Sequence, residues 1–267
     1  MKNYSITYSG KSVSYAMEGS GFPLVFLHGF VEDHTIWEPF IDSFLDQYRV
    51  LLIDTPGFGK SDVMQDASME SYADCIKAIL DHEKITECAM IGHSMGGYIM
   101  LNFASRFPGY LKGFGLFHST SYPDDENKKK DRERVAEFVR KNGSEVFANE
   151  LYGNLFGSVF KEAHPDRIME LKKYGANVSP AEGIAAASLA MRDRDDTTEV
   201  LRTSKVPVLF IIGKEDKAVN PEKTLTLTHL PAVSSIHILP GVGHMGMIEE
   251  KEKCQVAIQE WLELVKQ

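Results

Sequence analysis

Residues 88–97 read Cys-Ala-Met-Ile-Gly-His-Ser-Met-Gly-Gly, an apolar run that ends in a glycine-rich turn around Ser94. The continuous apolar run predicts a strand buried on both faces, and residues 97–107 carry a helical pattern. A serine on such a sharp turn has a strained backbone, and its neighbours two residues away must be small. Gly92 and Gly96 meet that requirement. The stretch therefore predicts a serine hydroxyl held clear of a sheet edge, at the start of a helix.

The same alternation of apolar runs and helical patterns extends to both sides of this turn. Such an alternation predicts an α/β fold with a doubly wound, mostly parallel sheet. Two short alternating segments at the N-terminus fit a β-meander. Strands are predicted near residues 23–27, 48–53, 88–91, 112–117, 206–212 and 235–239, and helices over residues 69–82, 97–107 and 252–265.

Residues 121–196 break this rhythm, because they contain no good pattern for a buried strand. We therefore expect a core of residues 1–120 and 197–267, with a helical cap inserted over residues 121–196. The lysine run at residues 128–130 is interpreted as a solvated helix face. Charged amphipathic helices are predicted over residues 127–142, 144–152, 165–174 and 180–192.

Composition restricts the class of protein. The chain has 267 residues, a net charge of −9 and a pI of about 5.5, so its acidic surface does not favour nucleic acid as a partner. Cys75, Cys88 and Cys254 are far apart and lack CxxC spacing, which argues against a disulfide framework and a zinc site. There is no secretory h-region and no apolar run of about 18 residues. We expect a cytoplasmic protein without a membrane span.

A serine hydroxyl is a weak nucleophile until a base removes its proton. His244 is the predicted base, because it lies in a glycine-rich turn directly after the last predicted strand. His118, which ends another strand, is its rival. Asp216 follows the strand near residues 208–212 and is predicted to orient the histidine, with Glu215 as the alternative.

A developing oxyanion needs backbone donors. His28-Gly29-Phe30 follows the first long buried strand, so the N–H groups of Phe30 and Met95 are the predicted donors. His28 itself is interpreted as a structural turn residue. The candidate pocket residues are Trp37, His118, Tyr122 and Met245.

These motifs resemble the α/β-hydrolase superfamily, from the HGF turn at residue 28 to the GVGHMG turn at residue 241. The chain order Ser94, Asp216, His244 is the order of that superfamily. Residues 54–61 are similar to its D-x-x-G-x-G-x-S loop, which shapes the sheet edge and is not catalytic there. The resemblance implies a serine esterase-like enzyme with a Ser-Asp-His triad and a helical cap.

Two glycine-rich matches point elsewhere and are declined. In residues 57–61 the phosphate-loop motif requires glycine six positions before Lys60, where Asp54 stands. Residues 241–246 satisfy GxGxxG, but only 21 residues follow Gly246, too few for a βαβ unit. With no metal-ligand spacing either, we expect no cofactor and no metal.

The expected function is hydrolysis of a carboxylic ester, or a similar acyl bond, of a small molecule through an acyl-enzyme on Ser94. Two alternatives stay open. The same triad serves C–C bond hydrolysis, amide cleavage, perhydrolysis or lyase chemistry on similar folds, because a fold does not determine a reaction. A ligand receptor that keeps the fold without turnover is the other alternative.

Overall fold

Eight strands form one sheet in this computed structural model, which describes residues 1–266. The spatial order is β1-β2-β4-β3-β5-β6-β7-β8, and all pairs from β4 to β8 are parallel. Only β2 pairs in antiparallel fashion, with β1 and with β4. The predicted doubly wound, mostly parallel α/β fold is confirmed. The strands are β1 (Lys2–Tyr8), β2 (Lys11–Gly19), β3 (Phe22–Leu27), β4 (Tyr48–Ile53), β5 (Cys88–His93), β6 (Leu111–Phe117), β7 (Val208–Gly213) and β8 (Ser234–Leu239).

Helices follow the strands much as the apolar periodicity predicts. The predicted ends at residues 69–82 match α1, and those at residues 97–107 and 252–265 lie within two residues of α2 and α11. Outside the segment between β6 and β7, the helices are α1 (Met69–His82), α2 (Met95–Arg106), α9 (Pro221–Leu225), α10 (Gly246–Glu249) and α11 (Lys251–Val265). Short 3-10 turns cover His34–Ile36, Ile41–Phe44 and Pro108–Tyr110.

The central strands are apolar throughout because helices cover both faces of the sheet. Every residue of β5 and of β7 is buried. Helix α11 packs so closely on β6 that a Cβ at Gly113 would lie 2.8 Å from the Trp261 ring. The Trp261 indole N–H donates to the Pro207 carbonyl at 3.2 Å, which satisfies its buried polar atom. Burial on both faces therefore explains the uninterrupted apolar runs in the sequence.

An entirely helical segment lies between β6 and β7. The four helical patterns expected there appear as α3, α4, α6 and α7, while α5 and α8 were not predicted. The exact cap limits of residues 121–196 stay a prediction. Among residues 1–266, no helix is both long and apolar enough to cross a bilayer. The segment comprises α3 (Glu126–Asn142), α4 (Ser144–Asn154), α5 (Ser158–Ala163), α6 (Pro165–Val178), α7 (Ala181–Arg192) and α8 (Thr198–Arg202).

The helical segment meets the core at the loop of residues 54–61. The Gly59 N–H donates to the Val178 carbonyl at 2.9 Å. Gly57, with φ of +92°, approaches Gly183 of α7 so closely that a Cβ on Gly183 would lie 1.8 Å from the Gly57 carbonyl oxygen. Two glycines facing each other therefore permit this contact, and no larger residue fits at position 183.

We predict that Gly183→Ala lowers the free energy of unfolding by at least about 1–3 kcal/mol, because the new methyl group must displace backbone. Urea denaturation monitored by circular dichroism measures the loss. Gly109→Ala is the control, since its Cβ would meet no atom within 4 Å, and a change of under about 0.5 kcal/mol is expected. Equal stability of the Gly183→Ala variant and the wild type would contradict the contact.

Candidate active site

Ser94 occupies a strained turn between β5 and α2. Its φ of 50° and ψ of −115° lie outside the regions that most residues adopt. A Cβ on Gly92 would lie 2.4 Å from the Gly96 carbonyl, and a Cβ on Gly96 would lie 2.5 Å from the Leu27 carbonyl oxygen. Small residues are therefore required at both positions, for the reason that the sequence pattern suggests.

His244 and Asp216 are in direct contact although 28 residues separate them in the chain. The His244 Nδ1 and the Asp216 Oδ2 are 2.7 Å apart, and both side chains are buried. The other carboxylate oxygen accepts the backbone N–H groups of Ala218 at 2.8 Å and Val219 at 2.9 Å. Since a carboxylate only accepts, the proton lies on Nδ1, and Nε2 is left with a free lone pair.

The Asp216 carboxyl stays ionised. Burial by itself raises the pKa of Asp216, but the neighbouring His244 and His118 side chains outweigh burial and hold that pKa well below its ordinary value. A permanent negative charge at this position stabilises an imidazolium at His244. Glu215, the alternative acid, instead accepts the backbone N–H of Ser158 at 2.7 Å, away from this pair.

Ser94 and His244 line one cavity of about 350 Å³, which we call the Ser94 cavity. Helices α3, α4 and α7 of the helical segment form its opposite wall. The His244 backbone N–H also donates to the carbonyl of Leu155, between α4 and α5, at 2.6 Å. The apolar lining of the Ser94 cavity comes mainly from Phe30, Tyr98, Val135, Phe147, Leu151 and Met191.

The two predicted oxyanion donors belong to elements that meet beside Ser94. Met95 is the first residue of α2, so its N–H has no acceptor within the helix. Phe30 lies in the turn after β3, and its side chain lines the Ser94 cavity. Within residues 1–266, neither backbone N–H has a hydrogen-bond acceptor. Both donors are thus available to a ligand oxygen.

Glu32 and His93 form a buried ion pair beside the cavity, which the sequence does not predict. The Glu32 carboxylate accepts the Gly29 N–H at 2.6 Å and the His93 Nδ1 at 3.0 Å. The His93 Nε2 lies 2.9 Å from the His244 carbonyl oxygen. Both partners of the His93 ring are acceptors, so both ring nitrogens donate, and His93 is an imidazolium. The pair therefore connects the turn after β3, the Ser94 turn and the His244 loop.

The pKa values of the pair agree with this assignment. Burial lowers the pKa of His93, but the Glu32 charge and hydrogen bond outweigh it, and the pKa is raised. Burial likewise raises the pKa of Glu32, and the charge of His93 reverses the effect, so that pKa is lowered. An acid two residues beyond the HGF turn was the sequence signal available for Glu32, but nothing in the sequence pairs it with His93.

The rival histidine, His118, lies beneath Asp216 and does not line the Ser94 cavity. Its Nδ1 is 3.6 Å from the Asp216 Oδ2, and the Gly246 N–H lies 3.2 Å from its Nε2. Burial lowers the pKa of His118 to about 4, so the ring is neutral near pH 7. This histidine therefore lies behind the Asp216 carboxylate, where the Gly213 and Gly246 N–H groups face its ring nitrogens, and it does not reach the cavity.

The candidate pocket residues are corrected by the structure, because none of the four lines the Ser94 cavity. Trp37 and Met245 are fully buried, and Trp37 packs against Phe117 in an aromatic cluster. Tyr122 lines an adjoining cavity, where its hydroxyl is 2.8 Å from that of Thr226. His118 lies near Asp216, outside the lining of the cavity. The apolar character of Trp37 and Met245 reflects packing of the core.

Two further sets of polar residues have structural partners. The buried His28 ring accepts the Thr55 N–H through Nε2 at 2.9 Å. Asp33, His34 and Asp54 bring possible metal ligand atoms within 4.8 Å of one another. However, the His34 Nδ1 lies 2.7 Å from the Asp54 carboxylate, and Asp33 accepts the Thr35 N–H, so protein donors already occupy these carboxylates.

We predict that Glu32→Gln lowers the free energy of unfolding by about 3–5 kcal/mol, since an amide cannot compensate the buried His93 charge. The pKa of His93 is higher in the folded state than in the unfolded state, where it is about 6.5. The charged His93 therefore stabilises the fold fully below about pH 6.5, and this stabilisation is lost as the pH rises through the folded-state pKa. The pKa of Glu32 is lower in the folded state than in the unfolded state, where it is about 4.3. The ionised Glu32 therefore stabilises the fold fully above about pH 4.3, and this stabilisation is lost as the pH falls through the folded-state pKa.

The difference in stability between the wild type and the Glu32→Gln variant is therefore expected to be larger at about pH 5.5 than at about pH 9. Urea denaturation at both values measures it. Glu137→Gln, at an exposed position of α3, is the control and should show a small difference at either pH. A difference that does not depend on pH would contradict the ion pair.

Comparison with known proteins agrees with this architecture. Residues 23–251 match the family model described as the alpha/beta hydrolase fold. The pimeloyl-[acyl-carrier protein] methyl ester esterase of Legionella pneumophila (strain Corby) is 32% identical over 215 residues, which are 78% of this chain and 81% of that protein. The 3-oxoadipate enol-lactonase 1 of Acinetobacter baylyi is 27% identical over 219 residues, which are 81% of this chain and 79% of that protein.

A solved structure extends the similarity to nearly every residue. The thermophilic esterase from Thermogutta terrifontis, with malate bound, superposes with a TM-score of 0.93 at 31% identity and covers 99% of both chains. The family model spans most of this chain, and the esterase structure aligns with both the sheet and the helical segment. The chain therefore belongs to the α/β-hydrolase family.

Proposed function

We propose that this chain is a serine hydrolase that cleaves a carboxylic ester of a small molecule through an acyl-enzyme on Ser94. The observation that carries the proposal is the buried 2.7 Å contact between His244 and Asp216, with His244 and the strained Ser94 lining one cavity. Several relatives are named as esterases or as a lactonase, and ester hydrolysis is the chemistry common to those names.

In the proposed reaction, the Ser94 Oγ attacks the acyl carbonyl carbon while the His244 Nε2 takes the hydroxyl proton. The carbonyl oxygen becomes an oxyanion, which accepts the N–H groups of Phe30 and Met95. The tetrahedral intermediate then collapses, the bond to the alcohol breaks, and His244 returns the proton to the departing oxygen. Water repeats the same steps on the acyl-enzyme, which releases the acid and restores Ser94.

Asp216 has two tasks in this scheme. It keeps the proton on Nδ1, so that Nε2 is free to act as the base, and it stabilises the imidazolium that forms during each proton transfer. The two backbone donors from Ala218 and Val219 hold its carboxylate in one orientation. The ionised state of Asp216 supports both tasks.

The helical segment, proposed as a cap over residues 121–196, would cover the cavity and limit the size of the substrate. Its helices α3, α4 and α7 supply the wall opposite Ser94. The hydrogen bond from His244 to the Leu155 carbonyl ties this wall to the loop of the base. A covered site excludes bulk water, which strengthens the charge interactions of the transition state.

We predict that Ser94→Ala abolishes labelling by a fluorophosphonate probe and lowers kcat on p-nitrophenyl butyrate by at least about 10³-fold, because the nucleophile is lost. Ser105→Ala, at an exposed position near the end of α2, is the matched control and should keep both properties. Undiminished labelling of Ser94→Ala, or a single burst without turnover by the wild type, would refute the proposal.

We predict that Asp216→Asn lowers kcat/KM on the same ester by about 10³–10⁴-fold at neutral pH, because an amide N–H facing Nδ1 favours the wrong tautomer of His244. The control is Glu215→Gln, one residue earlier, whose carboxylate contacts Ser158 instead of the imidazole. Steady-state rates within a few-fold of the wild type are expected for the control. The opposite ranking of the two variants would assign the acid to Glu215.

A further inference from the structure

The wall of the Ser94 cavity formed by α3 carries two cations one helical turn apart, Lys128 and Arg132. Because positions i and i+4 lie on the same face of a helix, both side chains extend toward the cavity. Lys128 is half-buried, and its ammonium donates to the Ala218 carbonyl at 2.9 Å. The sequence-based interpretation of the lysine run as a solvated face is therefore wrong for Lys128.

Arg132 and Arg194 share a single acid, the buried Asp124. The Asp124 carboxylate accepts the Arg132 Nε at 3.0 Å and an Arg194 Nη at 2.9 Å. Lys128 adds a third positive charge and has no carboxylate within 4.0 Å among residues 1–266. The cluster therefore holds three cations and one anion in a partly desolvated place, where an unbalanced charge is costly.

The effect of this imbalance is visible on Lys128. Burial, together with the charges of Arg132 and Arg194, lowers the pKa of Lys128, although the charges of Asp124 and Asp216 act in the opposite direction. Arg194 is buried with its guanidinium carbon 4.0 Å from the centre of the Tyr98 ring, which faces the same cavity. A second negative charge beside Lys128 would remove the repulsion among the three cations.

The other acids near the cavity do not supply that charge. Glu32 is paired with His93, and Asp216 with His244. Asp131 also lines the cavity, but its carboxylate is largely exposed and pairs with Arg134. These acids thus have other partners: Glu32 and Asp131 pair with cations, and Asp216 accepts the His244 Nδ1 proton together with two backbone N–H groups.

Both α3 cations have N–H donors without an acceptor among residues 1–266. An ammonium has three N–H groups, and the Ala218 carbonyl accepts one from Lys128. Arg132 uses its Nε for Asp124, and its Nη groups have no acceptor within the described chain. Its guanidinium carbon lies 5.9 Å from the centre of the Phe30 ring, at the proposed oxyanion loop. Such a fork of N–H groups matches a carboxylate.

We infer that the substrate is an ester that also carries a carboxylate, and that Lys128 and Arg132 bind this group at the α3 wall while Ser94 attacks the ester. This inference rests on the proposed function and adds its substrate class. The apolar side chains of Val135, Phe147 and Leu151 line the same cavity and suit the hydrocarbon part of such a molecule. Lys128 and Arg132 are thus specificity-determining residues.

The test compares each ester that carries a carboxylate with a neutral ester of similar size. For a carboxylate on the acyl part, the pair is mono-p-nitrophenyl adipate and p-nitrophenyl hexanoate. For a carboxylate on the alcohol part, the pair is 4-acetoxybenzoate and its methyl ester. The ratio of kcat/KM for the charged ester to that for the neutral ester is measured for the wild type, Lys128→Met and Arg132→Met. Lys129→Met is the control, because Lys129 pairs with Glu126 and does not line the cavity.

We predict that the wild type prefers the charged ester in at least one pair, and that each of Lys128→Met and Arg132→Met lowers this ratio by about tenfold or more, while Lys129→Met keeps it. Lys128→Met leaves both bonds of Asp124 in place, so it reports on recognition even if Arg132→Met loses stability. Lys128→Glu should lower the ratio further, because the new carboxylate would repel the carboxylate of the ester.

Three results would overturn the inference in distinguishable ways. Hydrolysis of the neutral esters without any preference for charge removes the carboxylate site and leaves the proposed function intact. A preference that survives in both methionine variants assigns recognition to other residues. Failure of the wild type to hydrolyse any of the four esters counts against both the proposed function and this inference.

Discussion

The strained backbone at Ser94 is the constraint on which the rest of the structure depends. A residue at φ of 50° and ψ of −115° costs about 1–3 kcal/mol, so the surrounding chain must hold it in place. The Ser94 N–H donates to the Phe117 carbonyl at 3.0 Å, and the Ser119 hydroxyl donates to the Ser94 carbonyl at 2.7 Å. Strand β6 thereby fixes the turn from one side, and the glycines at positions 92 and 96 allow the close approach from the other.

Buried charged side chains around this turn are arranged in two ways. Beneath it, each buried carboxylate has a histidine partner, Glu32 with His93 and Asp216 with His244, and the His244 carbonyl joins the two pairs. Above it, on the α3 wall, positive charge exceeds negative charge. The first arrangement holds loops in position without any ligand. The second leaves N–H donors of Lys128 and Arg132 unused, which is why we assign recognition to the wall and chemistry to the floor of the cavity.

The helical segment places the α3 wall opposite the floor of the cavity. Contacts such as Gly183 against Gly57 and His244 against Leu155 attach it to the core through backbone atoms. Those contacts place α7 and the turn between α4 and α5 on the core, and α3 packs against α7. The lining of the cavity can then vary with the side chains of the helices, while the proposed triad stays on the ends of the sheet strands.

Local patterns in the sequence were enough to determine the parallel α/β sheet, the glycine-flanked turn at Ser94 and the positions of His244 and Asp216 after their strands, because periodicity and turn chemistry depend on near neighbours in the chain. Only the tertiary structure decided which side chains face the cavity. Trp37 and Met245 are buried in the core, and the half-buried Lys128 lines the cavity. Glu32 contacts His93, which lies 61 residues later in the chain. Those outcomes depend on how α3 and the loops pack over the sheet, and that packing joins residues whose separation in the chain leaves no local signal.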